Sequence, residues 1–179
     1  MEATTSSVTD GAQSAAALCD AANWVLASAE QLELLRAGGN VILASGTRVY
    51  VRKGAGSSKH RQTLQAVRRC QLSGTVRLGL LGGGSVSVPL TTSAINGKGD
   101  SNSSTSGVVR LTSGAYDCTL SDATLDDDVL LQCNQLVSRC VILRGAAVIG
   151  SGVVACTEPC TAFGEGVNIR LVLDACTAL

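Results

Sequence analysis

From Ala123 to Ile169 the aliphatic residues recur every six positions, at Leu125, Leu131, Val137, Leu143, Ile149 and, with Ala, at 155. Two residues before each runs a second series, Ala123, Val129, Gln135, Val141, Ala147 and Val153, small or β-branched except for Gln135. After a slip around Pro159 the pattern resumes with Thr161 and Phe163, then Val167 and Ile169. A helix places apolar residues three and four apart, and a half-buried strand alternates in twos over a short run. A sustained six fits neither. It predicts the hexapeptide-repeat β-helix, in which short strand segments wind into stacked turns.

The spacing has a geometric reason. The large aliphatic of each hexad points into a narrow prism, and the residue two before it also points inward but lies near a corner, where only a small side chain fits. The residues that follow turn the corner. Asp126, Gly150, Gly152, Gly164 and Gly166 suit such bends, glycine because it enters the positive-φ region without strain. Composition agrees with a thin interior: 45% of residues are hydrophobic yet only 2% are aromatic, so the bulky fillers of an ordinary core are missing. The expected class is therefore all-β, a single-stranded left-handed parallel β-helix with a short N-terminal helical cap.

The expected organisation is a disordered tail over 1–12, a helical cap over 13–40, and the β-helix over 41–179 with loop insertions at 53–69 and 91–107. Leu18, Ala21, Ala22 and Val25 lie at helical spacing between Ser14 and Leu26. Ser28 with Gln31 matches a capping box, and Gly38-Gly39 supplies the stop of a second helix. Cys70-Gln71-Leu72 and Val76-Arg77-Leu78 repeat the inward-pair grammar of the main stretch. Thr91 to Gly107 is low in complexity and reads as a mobile insertion, which a stacked repeat tolerates at a corner.

Net charge is zero but unevenly spread. Leu34 to Gly99 contains no acid, while Asp100 onward carries nine acids against four bases. Within the basic part, Lys53, Lys59, His60, Arg61, Arg68 and Arg69 form a candidate anion-binding set. No aromatics interleave with them as in a single-stranded nucleic-acid binder, so nucleic acid is not the expected partner. No secretory leader pattern and no stretch of about 18 apolar residues is present, which points to a cytoplasmic protein without a membrane span.

Eight cysteines include no CxxC pair. Cys70 and Cys118 fall on the small inward position before Leu72 and Leu120, where a thiol serves as a small hydrophobe. Cys133 and Cys140 flank corners of the main repeat. Zinc through Cys156 and Cys160 lacks a second pair to complete it, so neither metal nor cofactor is expected. Hexapeptide acyltransferases use a histidine base, and the single His60 lies off the repeat in the polar loop. Gly82-Gly83-Gly84 follows a strand-like run but opens no helical pattern, as a phosphate loop would. Asp126-Asp127-Asp128 reads first as a solvated corner, and second as a cation or acid–base site.

Three segments, taken in order, carry a resemblance: Ser73-Gly74-Thr75-Val76-Arg77-Leu78-Gly79, then Ser113-Gly114-Ala115-Tyr116-Asp117-Cys118-Thr119-Leu120, then Thr161-Ala162-Phe163-Gly164-Glu165-Gly166-Val167-Asn168-Ile169. They resemble the N-terminal part of a domain-of-unknown-function family of long hexapeptide-repeat proteins, grouped loosely with sugar-nucleotidyltransferase-like β-helices. The resemblance spans 23–170 and implies the fold more than an activity. The family continues with an acidic residue and a Gly-Gly-Arg run, where this chain has Leu173-Asp174-Ala175-Cys176.

Two functions are compatible with these residues. One is a non-catalytic module for assembly or partner binding, with a homo-oligomer or a protein partner at the apolar C-terminal turn that includes Leu171 and Leu173. The other is part of a nucleotidyl- or acyltransferase acting on an activated sugar or acyl donor, with a nucleotide sugar as the small-molecule partner. No complete catalytic constellation accompanies the second, and the first is preferred.

Overall fold

The computed structural model describes residues 18, 20–43, 46–91, 106–155 and 161–163 of the 179. Two helices are α1 (Ala29–Ala37) and α2 (Ser57–Gln65). The strands are β1 (Trp24–Leu26), β2 (Val41–Ile42), β3 (Arg48–Arg52), β4 (Val67–Arg68), β5 (Gln71–Ser73), β6 (Thr75–Leu78), β7 (Ser85–Thr91), β8 (Ser106–Thr112), β9 (Gly114–Tyr116), β10 (Thr119–Ser121), β11 (Thr124–Leu125), β12 (Leu130–Gln132), β13 (Leu136–Ser138), β14 (Cys140–Ile142), β15 (Ala147–Ile149), β16 (Val153–Ala155) and β17 (Thr161–Phe163). They form sheets in the orders β1-β3-β6-β11-β14-β17, β16-β13-β10-β5-β2 and β15-β12-β9-β4, plus the pair β7-β8.

The fold class read from the period, all-β with a single left-handed β-helix, is corrected by this arrangement. The fold is mixed and α/β-like: several parallel sheets alternate with two helices, at 19% helix and 44% strand. Two antiparallel pairings, β1 with β3 and β7 with β8, also break any uniform parallel winding. The helices belong to the core. Leu35 of α1 and Leu64 of α2 are fully buried in the same apolar cluster as the strand residues.

The inward residues stack in register from strand to strand. In the six-stranded sheet Val51, Leu78, Leu125 and Ile142 are successive partners. In the five-stranded sheet Ile42, Leu72, Leu120, Val137 and Val154 are. In the four-stranded sheet Val67, Ala115, Leu131 and Val148 are. Leu120 pairs Val137 and Val137 pairs Val154, a constant separation of 17 residues. Three equal hexads would need one more residue, and over this stretch the inward residues Leu120 to Leu125 and Val137 to Ile142 are five apart rather than six.

That shortfall corrects the register beyond Val137. Ile142 rather than Leu143 enters the main core, and Val148 rather than Ile149, which is exposed. Leu143 is buried instead in a second cluster with Leu18, Trp24 and Val141. The inward small position held by Gln135 in the six-residue reading belongs to Asn134, buried while Gln135 is exposed.

The N-terminal region also differs from expectation. Ala21–Asn23 is a short 3-10 turn capped by the Asp20 carboxylate, and the chain then extends as β1 rather than continuing as a helix. The β-branched and aromatic residues Trp24 and Val25 favour that extension, and pairing with β3 supplies its hydrogen bonds. The capping box forms: Ser28 Oγ accepts from Gln31 N at 3.3 Å, and Gln31 Oε1 accepts from Ser28 N at 2.9 Å. The loop expected over 53–69 is largely α2 followed by β4. Its polar residues face solvent while Thr63 and Leu64 face the core, so low hydrophobicity concealed a one-sided helix. The insertion expected at 91–107 continues β7 at one end and β8 at the other, while residues 92–105 lie outside the described residues, as do 1–17.

Among the described residues six non-glycine residues take positive φ, namely Arg69, Asp117, Asp122, Asp128, Cys133 and Arg139. Corners were expected to favour glycine, yet the close stacking of rounds holds these side chains in a conformation that costs each about 1–2 kcal/mol. A Cβ at Gly74 would crowd the Asp122 carboxylate, so a side chain there would have to displace it from its bond with Thr75 N at 2.8 Å.

Candidate functional site

The candidate anion-binding residues do not converge. Lys53 follows β3 in a turn as an exposed side chain, and Lys59 and Arg61 point outward from α2. Arg68 Nε donates to Gln65 O at 2.9 Å and so covers the end of α2. Arg69 forms a two-pronged pair with Asp117, at 2.5 and 2.7 Å. The Arg69 hydrogen bonds hold the Asp117 carboxyl below its ordinary pKa, and the same pair raises that of Arg69.

His60 is committed to the scaffold. Its Nδ1 lies 3.3 Å from Gln31 Nε2 and its Nε2 lies 2.7 Å from Arg52 O. An amide nitrogen only donates and a carbonyl only accepts. The two contacts fit the tautomer in which Nδ1 accepts from the Gln31 amide and Nε2 donates to Arg52 O. Gln31 thus serves twice, closing the α1 cap and holding the α2 histidine.

The polar cluster that the structure does assemble joins distant parts of the sequence. Arg52 Nη2 donates to Asp126 Oδ1 at 2.5 Å and to Asp127 Oδ1 at 3.3 Å, and its guanidinium lies over the Trp24 ring, 4.8 Å from the centroid. Arg144 Nη2 donates to Asp127 Oδ2 at 2.8 Å, and Leu80 N donates to Asp127 Oδ1 at 2.7 Å. The Asp127 carboxylate raises the Arg144 pKa. Asp126 and Asp127 are therefore largely desolvated acids neutralised by two arginines, not the solvated turn read from the sequence. Only the acidic run was visible beforehand. Its pairing with Arg52 depends on β3, β6 and β11 being neighbours, which no local pattern signals.

A second constellation lies at the corner between the four- and five-stranded sheets. Asn40, Cys70, Cys118 and Asn134 follow one another there, each one round further along the chain. Asn40 Nδ2 donates to Leu35 O and Val67 O, both at 2.7 Å, and Asn40 Oδ1 accepts from Cys70 N at 2.8 Å. Asn134 Nδ2 donates to Val148 O at 2.8 Å and lies 3.6 Å from Cys118 Sγ, while Asn134 Oδ1 accepts from Ser151 N and Oγ at 3.1 and 2.6 Å. Cys70 and Cys118 do occupy inward sites, 1% and 3% exposed. Cys133 is exposed at a corner, and Cys140 is buried with its thiol toward Ser138 O.

Among the described residues no three of His, Cys, Asp and Glu stand together to hold a metal ion, and no helix is long and apolar enough to cross a membrane. Cys156 and Cys160, and the C-terminal contact surface around Leu171 and Leu173, lie outside the described residues. Comparison with family models, curated proteins and solved structures returned no match.

Proposed function

We propose that this chain is a non-catalytic module for assembly, which associates with a second copy of itself through the face where β15 and β16 end their sheets. One observation carries the reading. Among the described residues these two strands are the terminal members of their parallel sheets, and they present Ile149 and Val153 to solvent at 41% and 60% exposure. An open strand edge with exposed β-branched residues beside it is a template for further pairing. The polar groups that could do chemistry support the same reading. His60 has both ring nitrogens engaged, and Asp126 and Asp127 are held by Arg52 and Arg144. The transferase alternative, with a nucleotide sugar or acyl donor, draws no support from them.

Sedimentation of the chain at micromolar concentration, beside a variant carrying Ile149→Lys and Val153→Lys, tests the proposal. The unaltered chain is expected to sediment as more than one copy, and the variant as a single copy with the same circular dichroism. A single-copy species for the unaltered chain, or equal association of the variant, overturns it.

A further inference from the structure

The two buried thiols are stacked on one another. Val67 pairs Ala115 and Arg68 pairs Tyr116 on one side of the corner, and Gln71 pairs Thr119 and Leu72 pairs Leu120 on the other. Every one of these partners is 48 residues apart, so Cys70 and Cys118, between them, face each other across adjacent rounds. Gln71 N donates to Cys118 O at 2.9 Å, which holds that alignment through the corner itself. Neighbouring strands lie about 4.8 Å apart, inside the roughly 4.4–6.8 Å window of Cα separations that a disulfide accepts. Cys70 Sγ lies between Arg68 O of its own segment, at 3.3 Å, and Ala115 O of the segment that carries Cys118, at 3.4 Å.

Both thiols lie in the main apolar cluster, yet each has an asparagine beside it, which separates this pair from cysteines that merely fill space. Asn134 directs an N–H at Cys118 Sγ from the next round, and Asn40 holds the backbone of Cys70 from the round before. We propose that Cys70 and Cys118 form a redox-active dithiol, which a peroxide closes to a disulfide that ties two rounds of the fold together. The Cys118 thiolate attacks one peroxide oxygen, the O–O bond breaks, and Cys118 becomes a sulfenic acid as hydroxide leaves. The Cys70 sulfur then attacks the Cys118 sulfur, the S–O bond breaks, and the Cys70 proton leaves with that oxygen as water. In sum two thiols and one hydrogen peroxide give one disulfide and two waters, each sulfur losing one electron and the peroxide gaining two.

The direction of attack follows from the hydrogen bonding. Asn134 Nδ2 directs an N–H at Cys118 Sγ from 3.6 Å and no such donor faces Cys70 Sγ among the described residues; the nearness of the two sulfurs brings the Cys118 pKa down to about 7 and pushes that of Cys70 up. Cys118 is thus the sulfur that ionises, and Cys70 the one that resolves.

The test uses the full chain. Reduced protein is treated with hydrogen peroxide, unfolded in N-ethylmaleimide, and digested with trypsin and an aspartate-specific protease. This separates the peptides Cys70–Arg77 and Asp117–Ser121 from the peptide that holds Cys133. The expected product is the first two peptides joined, lighter by two hydrogens than their sum and released by dithiothreitol. The thermal midpoint of the oxidised chain is expected to rise by several degrees, and the Cys70→Ala variant to show neither change. Recovery of both peptides separately labelled, at peroxide levels that oxidise Cys133, overturns the proposal. So does an equal yield of the joined peptide from protein oxidised in urea, where no fold aligns the pair.

Discussion

Asn134→Ala, measured against Gln135→Ala, tests the corner geometry with two adjacent residues. A strict six-residue period turns Gln135 inward; the structure turns Asn134 inward and leaves Gln135 exposed. Removing the Asn134 amide deletes its bonds to Val148 O, Ser151 N and Ser151 Oγ, all between successive rounds. A net hydrogen bond contributes about 1 kcal/mol, and a buried group left without a partner costs roughly 1–3 kcal/mol. With Ser151 also buried, the loss for Asn134→Ala is about 3 kcal/mol, whereas an exposed Gln135→Ala stays within about 0.5 kcal/mol. Urea unfolding followed by circular dichroism reads both. Equal effects, or a larger loss at Gln135, would refute the assignment of the inward position.

Leu120→Ala removes a fully buried side chain stacked between Leu72 and Val137, and its expected cost is about 3–5 kcal/mol in the same unfolding assay. Arg52→Met is expected to destabilise more than Arg144→Met. Arg52 is 19% exposed, spans two carboxylates and covers Trp24, whereas Arg144 is 62% exposed and is worth at most about 1 kcal/mol. Asp117 has a lowered pKa in the folded state, so its contribution is complete above the ordinary carboxyl value of 3.8 and is lost as pH falls below it. The acid limb of a pH–stability curve should therefore flatten slightly in Asp117→Asn, while stability at pH 7 changes little because the pair is at the surface.

Much of the interior was legible because it is repetitive. Leu125, Leu131 and Val137 were readable as inward positions, and so were Cys70 and Cys118 before Leu72 and Leu120. A period read from aliphatic residues alone cannot distinguish a side of five residues from one of six when both neighbours are apolar. Ile142 and Leu143 are such neighbours, and the reading chose the wrong one. Helix α1 was legible from its capping box and glycine stop, but α2 misled for a different reason. Thr63 and Leu64 are the inward residues of α2, and a helix that buries so little looks like a polar loop. At the N-terminus, spacing suggested a helix over residues that sheet pairing makes a strand. The Arg52–Asp126–Asp127–Arg144 cluster and the Cys70–Cys118 stack lay beyond local reading. The partners in each contact are 17 to 75 residues apart, and only the register of the sheets brings them together.

Hydrogen exchange across a concentration series, read at the backbone amides of β15 and β16, tests the assembly reading most directly. Association through the sheet ends predicts that amides of Ala147–Ile149 and Val153–Ala155 gain protection as concentration rises, while those of exposed α2 residues such as Lys59 and Arg61 do not. Protection at β15 and β16 that is independent of concentration over the micromolar range would contradict it.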